Sequence, residues 1–375
     1  MKLVLLRGVR EAANLSMQFY AERVAAALAG HCEIEHVYPW CVRAEPTGLL
    51  RLPVRSLDYF SRYVVYPKQA GLCRGDVFHV MDHANGHLVR RLPARRAVVT
   101  CHDVMLLKLA RNELPAPATV PWAALRALRF SLGFLSQAAR VVAVSRATAD
   151  DLVTHLDLKP EMVRVVYHGV DPRFGPPPDG RSRHEARARF SLDGGPVLLH
   201  VGNNWFYKNL EGLLRAFARF RQSGVGRRAV LLKVGKPLSP AQRALAAALG
   251  VQRYVREVGL LDQESLQAAY WAADALVFPS FWEGFGWPPL EAMASGTPVI
   301  ASGRGALAEV VGDAAEVINP DDPKNIAAAI ERVLSDTGLR QDLTARGLER
   351  ARLFTWERAG RELVEVYREV LDEAG

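Results

Sequence analysis

The chain has 375 residues, 49% hydrophobic and 23% charged, too long for one compact domain and ordinary in composition for a soluble globular protein. No apolar run reaches the ~20 residues needed to span a bilayer. The opening MKLVLLRGVR has too short an apolar core for a secretory signal, and reads as a first buried strand. The four cysteines, Cys32, Cys41, Cys73 and Cys101, match no zinc or redox spacing, which implies a reducing cytosol and unpaired thiols. Cys101 beside His102 reads as a small core residue ending a strand rather than as a nucleophile. The net charge of +8 is uneven: residues 1–180 hold 23 Lys and Arg against 16 Asp and Glu, residues 181–375 hold 25 against 24. The basic first half suits a phosphorylated acceptor or an anionic membrane surface, or is an Arg-rich bias with no specific partner. No aromatic-interleaved basic stretch supports nucleic-acid binding.

Along the chain, short β-rich runs alternate with helical ones, the pattern of doubly wound α/β folds. In the first half strands are expected over 2–7, 33–38, 77–80, 97–101, 140–144 and 163–166, with helices over 16–29 and 122–137. The strands show no polar alternation, so both faces should be buried. Residues 171–180, Asp-Pro-Arg-Phe-Gly-Pro-Pro-Pro-Asp-Gly, cannot continue a helix or a central strand, and are the best candidate for a linker. A short helix over 181–193 should lead out of it. The alternation then restarts, with strands over 197–201, 229–234, 254–258, 275–278, 298–301 and 315–318. Helices are expected over 210–222, 240–249, 262–272, 288–294, 323–334 and 338–352, then an amphipathic one over 355–373. The organisation expected is therefore a Rossmann-like domain over 1–175, a second over 176–354, and a terminal helix over 355–375 that packs back on the first. Ligands of such sheets bind beyond the carboxyl ends of the strands, which places the site in the cleft between facing domains.

The most informative segment is Phe278-Pro-Ser-Phe-Trp-Glu-Gly-Phe-Gly-Trp-Pro-Pro-Leu-Glu-Ala-Met-Ala-Ser-Gly-Thr-Pro-Val-Ile300. A strand ends at Pro279, and a helix starts at Pro288 or Pro289, where proline is tolerated in the first turn. Between them Gly284 and Gly286 allow the backbone close to a ligand. The helix start adds a positive dipole end suited to phosphate. Glu283 and Glu291 flank this loop. Alone, two glutamates eight residues apart mean little: Glu291 could serve the helix dipole and Glu283 could be a solvated loop charge.

The surrounding pattern narrows that choice. The segment resembles the signature of retaining family-4 glycosyltransferases, which have the two-domain GT-B fold. The residues carrying the resemblance are Pro279-Ser280, Glu283-Gly-Phe-Gly286, Pro288, Leu290-Glu-Ala-Met-Ala294, Gly296 and Pro298-Val-Ile300. Further matches are Leu199-His-Val-Gly202 with Lys208-Asn209, Val144-Ser-Arg146, Tyr167-His-Gly-Val-Asp171 and Cys101-His-Asp103. They cover residues 95 to 355, and the first 95 match weakly.

The resemblance implies roles. Glu283 lies beside the donor sugar hydroxyls, helped by the backbone of Gly284, Phe285 and Gly286, and Glu291 takes the ribose hydroxyls. A carboxylate accepts two hydrogen bonds and vicinal hydroxyls offer two donors. Lys208 stands against the donor diphosphate; a plain solvated lysine is disfavoured there, because a cation opposes the dipole at a helix start. The family commonly carries a second cation shortly after the preceding strand, where this chain has Asn203 and Asn204, so Asn203 is a neutral stand-in at most. His102 faces the donor sugar; the plainer alternative is a packed histidine bonded locally near Asp103. The glycine-rich loop usual after the first strand keeps only Gly8, with Arg10, Asn14 and Ser16 as acceptor contacts. Asp82, His83 and Asn85 either line the acceptor side or form an ordinary polar loop. Base recognition falls to backbone near Gly235 and Gly259.

The implied activity is hexosyl transfer with retention from a UDP- or GDP-linked sugar to a carbohydrate or lipid-linked acceptor, in bacterial polysaccharide, lipid-linked glycan or glycoconjugate synthesis. No cofactor, metal or nucleic acid is expected, since Asp321-Asp322 before Pro323 reads as a helix cap. The expected location is cytoplasmic, at most peripheral to the inner membrane face. A GT-B sugar-nucleotide epimerase would share the fold without needing the Glu283–Glu291 signature. An inactive nucleotide-binding scaffold would not need Glu283, Glu291 and Lys208 intact.

Overall fold

The computed structural model describes residues 1–8, 15–40, 57–114, 122–192 and 194–375. Twelve strands lie among them: β1 (Lys2–Leu6), β2 (Glu33–Val37), β3 (Val77–Val80), β4 (Ala97–Cys101), β5 (Arg140–Ala143), β6 (Val163–Val165), β7 (Val197–Val201), β8 (Val230–Val234), β9 (Val255–Gly259), β10 (Ala275–Phe278), β11 (Val299–Ser302) and β12 (Glu316–Ile318). They form two six-stranded sheets of order β2-β1-β3-β4-β5-β6 and β12-β11-β10-β7-β8-β9. Every pairing is parallel. Parallel sheets are covered on both faces, which explains the continuous apolar runs of the central strands; β3, β4, β5, β10 and β11 are buried along their whole length.

The chain divides into two compact units. Unit 1 comprises Met1–Arg111, Thr119–Gly169 and Trp356–Gly375, and unit 2 comprises Asn112–Ala118 and Val170–Thr355. The helices used below are α1 (Leu15–Leu28), α2 (Tyr66–Leu72), α3 (Met105–Ala110), α4 (Trp122–Leu132), α5 (Arg146–Leu156), α6 (Gly180–Arg189), α7 (Leu210–Phe220), α8 (Pro240–Ala248), α9 (Gln263–Ala272), α10 (Trp287–Ala294), α11 (Ala306–Val311), α12 (Pro323–Ser335), α13 (Thr337–Ala351) and α14 (Trp356–Ala374). Local chemistry sets their starts. Ser239 and Gln242 form a reciprocal capping box on α8, and Asp262 and Asp322 cap α9 and α12 through Ser265 N and Lys324 N. Asp321 pairs with Arg304.

In unit 1 the core gathers Val4, Leu6, Phe78, Val80, Val99, Val141 and Leu152 around the first sheet. The terminal helix α14 packs on α1, and its Glu369 and Glu373 take the guanidinium of the buried Arg140 at the start of β5. In unit 2 the core runs from Leu198 and Leu231 through Leu213, Phe217 and Ile330. The proline-rich segment lies along unit 2 instead of hanging free. Phe174 is buried, the Trp271 indole N–H donates to Gly175 O at 2.7 Å, and Gln267 donates to Arg173 O. Prolines deny this stretch a ladder of its own, so side chains of α9 satisfy its carbonyls. Cys101 is buried at the end of β4, with its Sγ donating to Asp103 O; burial pushes this thiol well up, out of the nucleophilic range. Cys41 lies outside the described residues. No described helix is long and apolar enough to cross a membrane.

Candidate functional site

In each sheet the strand order reverses once, between β1 and β3 in unit 1 and between β7 and β10 in unit 2. Ligands of open α/β sheets settle beyond the carboxyl ends of the strands at such a reversal. In unit 2 the segments emerging there are residues 202–209 after β7 and 279–286 after β10.

These two segments are laced together. Phe281 N donates to Tyr207 O at 2.8 Å. Asn209, in the left-handed region at φ 54°, caps α7 by accepting from Gly212 N at 3.1 Å. Its side-chain amide donates to Pro279 O and Pro320 O. Asparagine tolerates that backbone and supplies both bonds, which is why it stands where three loops meet. Next to it, Lys208 Nζ lies 2.7 Å from Glu283 Oε1. Both are buried, 8% and 9% exposed, and the ammonium rests over the Phe278 ring at 4.9 Å and the Tyr207 ring at 5.4 Å. An ammonium has three donors and a carboxylate two oxygens, so the pair has capacity to meet a further oxyanion and further hydroxyls. Lys208 is therefore not the solvated helix-start lysine that the sequence left as an alternative.

Gly284, Phe285 and Gly286 follow. Gly286 precedes α10 at φ +115°, and a Cβ there would come 2.6 Å from Leu307 Cδ2, so no other residue fits without rearrangement. Phe285 is buried against Phe354. On α10, Glu291 Oε2 accepts from the Tyr270 hydroxyl at 2.7 Å. Burial raises this carboxyl to about 7; the Tyr270 bond holds it down and the Asp171 carboxylate pushes it further up. Glu283 thus meets a cation while Glu291 meets a neutral hydroxyl and a nearby like charge.

At the neighbouring strand ends, Gly202 N donates to Val234 O and Gly235 N to Gly259 O. Gly235 has φ +98°, and a Cβ there would lie 2.3 Å from Gly202 O. Asn203 Oδ1 accepts from Trp205 N at 3.1 Å, and Asn204 donates to Pro237 O, so both asparagines shape the turn and neither brings charge.

Sequence reasoning passed over several residues. Lys233, in the apolar run Val-Leu-Leu-Lys-Val, is 1% exposed; a charge in an otherwise apolar central strand was its visible signal. His200 is fully buried with Nδ1 bonded to Val277 O, and burial and the two lysines press it down to about 3, so it is neutral. The partner of Glu291, Tyr270, carried no local signal.

Unit 1 assembles a second group at its own reversal. Gly8 follows β1, and a Cβ on it would lie 3.9 Å from the Asn85 amide. Arg62 holds Asn85 Oδ1 and Ala84 O. Asp82 caps the turn His83–Arg91 through Ala84 N. Burial pushes the Asp82 carboxyl up, but His83, His102, the Ala84 N–H and Arg62 together outweigh it and leave it lowered. His102 is buried; its backbone N donates to His83 Nδ1 at 3.2 Å and its Nε2 lies 2.9 Å from Met81 O. A carbonyl only accepts, so Nε2 carries the proton, and Nδ1 is an acceptor with no partner among the described residues. Burial lowers His102 despite Asp82, so it is neutral at pH 7. Gly8, Asp82, His83, Asn85 and His102 are thus neighbours at one end of one sheet. Ser16 is exposed on α1, while Arg10 and Asn14 lie outside the described residues.

Comparison with known proteins gives this geometry a context. Residues 182–350 match the family Glycosyl transferases group 1, and residues 17–174 match Glycosyltransferase Family 4. The MMP alpha-(1->4)-mannosyltransferase of Mycolicibacterium hassiacum is 33% identical over 72% of this chain and 69% of its own length. The D-inositol 3-phosphate glycosyltransferase of Salinispora arenicola is 36% identical over 64% of this chain, and the match spans a little over half, 57%, of that relative. Among solved structures, sucrose-phosphate synthase from Thermosynechococcus elongatus superimposes with a TM-score of 0.77 at 22% identity over 100% of both chains. Anabaena Alr3699/HepE in complex with UDP and glucose does so with a TM-score of 0.75 at 18% identity over 98% of this chain and 100% of its own.

Proposed function

The chain belongs to the group 1, family 4 glycosyltransferases and has the GT-B fold, and on that premise we propose that it transfers a hexosyl group, with retention, from a UDP- or GDP-linked sugar to a hydroxyl of a carbohydrate or lipid-linked acceptor. The observation that carries this reading is the pairing of Lys208 with Glu283 at the β7/β10 reversal, with Glu291 and Tyr270 alongside.

The chemistry follows from those groups. Lys208 meets the diphosphate and stabilises the charge that grows on it as the bond to the sugar breaks. Glu283 accepts from the sugar hydroxyls and Glu291 from the ribose hydroxyls. The bond from the anomeric carbon to the phosphate oxygen breaks with its electron pair going to phosphate. The acceptor oxygen bonds to that carbon from the same face, and its proton passes to the departing phosphate oxygen. Double displacement would need a carboxylate against the opposite face, and among the described residues of unit 2 both candidate carboxylates already serve other groups. His102, neutral, serves as a hydrogen-bonding group and not as an acid.

Calorimetric binding of UDP, GDP and their common sugar conjugates to the wild type and to Glu291→Ala tests the donor reading. Base-selective binding that falls roughly ten- to a hundredfold in the variant supports it; no binding to any nucleoside diphosphate removes it. A product whose anomeric configuration is opposite to the donor's, read by NMR, would end the claim of retention.

We also propose a peripheral contact between unit 1 and an anionic membrane. Tyr59 stacks on Tyr63, Tyr63 meets Phe130, and the Arg90 guanidinium lies over Phe130. Tyr59, Phe60 and Trp122 are each more than half exposed, at 55%, 55% and 72%. Aromatic rings beside arginines suit a headgroup layer. Co-sedimentation with phosphatidylglycerol vesicles, and much less with phosphatidylcholine vesicles, is expected; equal or no binding to both speaks against it.

A further inference from the structure

Lys233 is buried with no carboxylate at hydrogen-bonding distance among the described residues. Its ammonium spends its donors on three carbonyls: Gly202 O at 2.6 Å, Val234 O at 2.8 Å and Lys236 O at 3.1 Å. The nearest acid in its field, Glu257, gives its oxygens to Leu238 N and Arg243. An ammonium in an apolar strand is expensive, and a methionine or leucine would fill the same space. Here the cost is visible: burial lowers the group to about 8, Glu257 draws it back up, and Lys208 presses it down again.

Its position gives the charge a use. Lys233 holds the carbonyl of Gly202, and the described chain has no cis peptide, so the Asn203 N–H points the opposite way from that carbonyl. A Cβ on Gly202 would lie 3.6 Å from Lys208 Cε, so both lysines flank the same turn. His200, beside them, is kept neutral and cancels none of their charge. Lys208 gives part of its charge to Glu283, whereas Lys233 bonds only to carbonyl dipoles.

We propose that Lys233 is the second positive charge for the donor diphosphate, acting through the Gly202 peptide from beneath the turn, where Asn203 and Asn204 bring none at the surface. The inference rests on the nucleotide-donor reading of this site. Lys233 is a positioning residue: it aims the Asn203 N–H and adds a field that burial protects from solvent screening.

The test compares wild type, Lys233→Gln and Lys233→Met, with thermal unfolding to confirm that each folds. Glutamine keeps two N–H donors for the carbonyls and removes the charge. The ligands are the nucleoside, its monophosphate and its diphosphate, of uridine or guanosine according to wild-type preference. Both variants are expected to lose about tenfold or more in diphosphate affinity, less for the monophosphate, and nothing for the nucleoside. A glutamine variant that binds the diphosphate within about twofold of wild type overturns the proposal. So does a loss equal for diphosphate and nucleoside, which marks a structural prop. Wild type that binds no nucleoside diphosphate brings down the donor reading itself, and this inference with it.

Discussion

Both sheets are parallel and each reverses its strand order once, yet the polar groups at the two reversal points differ. Unit 2 gathers buried charge there: Lys208 against Glu283, Lys233 among carbonyls, Glu291 against Tyr270. Unit 1 gathers mainly neutral imidazoles, beside two charges: the buried guanidinium of Arg7, bonded to the Tyr38 hydroxyl and Gln18 O, and Asp82, whose carboxyl is held low. Burial lowers His79 to about 3, His168 well below its usual value, and His102 below it too. Neutral groups that are both donor and acceptor suit hydroxyls or the fold itself, whereas retained charge is worth its desolvation only where an ion of the opposite sign arrives. On the proposed donor reading, this contrast favours unit 2 as the place of the diphosphate.

The sharpest way to break this comparison is Lys208→Ala. Loss of a donor aimed at developing phosphate charge should lower kcat by roughly 10²- to 10³-fold, measured with saturating donor. The same change leaves Glu283 buried without its cation and should reduce stability as well. The double variant Lys208→Ala/Glu283→Gln separates the two effects, regaining stability without regaining turnover. A single variant within tenfold of wild-type kcat would mean that the charge pair is structural.

A smaller effect sharpens the difference between the two glutamates. Glu291 has its ordinary value of 4.5 raised to about 7 in the folded chain, so the fold holds a proton that the unfolded chain has released. Stability from this group is therefore full below pH 4.5 and is lost as pH rises through 7, by about 3 kcal/mol in all. Glu291→Gln removes the titration. Its stability relative to wild type, by denaturant unfolding, should climb between pH 4.5 and 8 and stay level above that. A difference that does not change with pH would show that Glu291 is ionised throughout.

The fold was legible because its signals are local. β3, β4, β7 and β10 run over the residues expected of them, β9 and β11 are shifted by one residue at both ends, and the other strands differ by one residue at one end, since buried parallel strands are continuous apolar runs between turns. α5 went unread because Arg-Ala-Thr-Ala-Asp-Asp has a weak apolar stripe, and its start depends on Ser145 capping Thr148 N. α2 and α3 are too short to show a period. The positions of Glu283, Glu291 and Lys208 were legible as a motif, but their partners were not. Tyr270 lies 21 residues from Glu291 and Glu283 lies 75 from Lys208, so only the folded sheet brings each pair together. Lys233 was visible as an oddity in an apolar strand, without a partner that sequence could name.

The least legible feature is the polar core of unit 1, and it supports the smallest effect. Tyr367 on α14 meets His79 Nδ1 at 2.7 Å, His79 Nε2 meets Thr100 Oγ1 at 2.7 Å, and Thr100 meets the Tyr20 hydroxyl at 3.0 Å. The four residues come from α14, β3, β4 and α1, and 288 residues separate His79 from Tyr367. Each side chain can donate or accept, so the row is satisfied in either direction and needs no charge. Tyr367→Phe leaves one imidazole nitrogen buried without its partner and should cost about 1–2 kcal/mol of stability. It should leave nucleotide affinity and its phosphate dependence where they were, because the row belongs wholly to unit 1. Were nucleotide affinity to drop with Tyr367→Phe as it does with Lys233→Gln, the division of labour between a charged unit 2 and a mainly neutral unit 1 would be wrong: the imidazole row would then be part of the donor's electrostatic environment rather than a tie between the terminal helix and the first sheet.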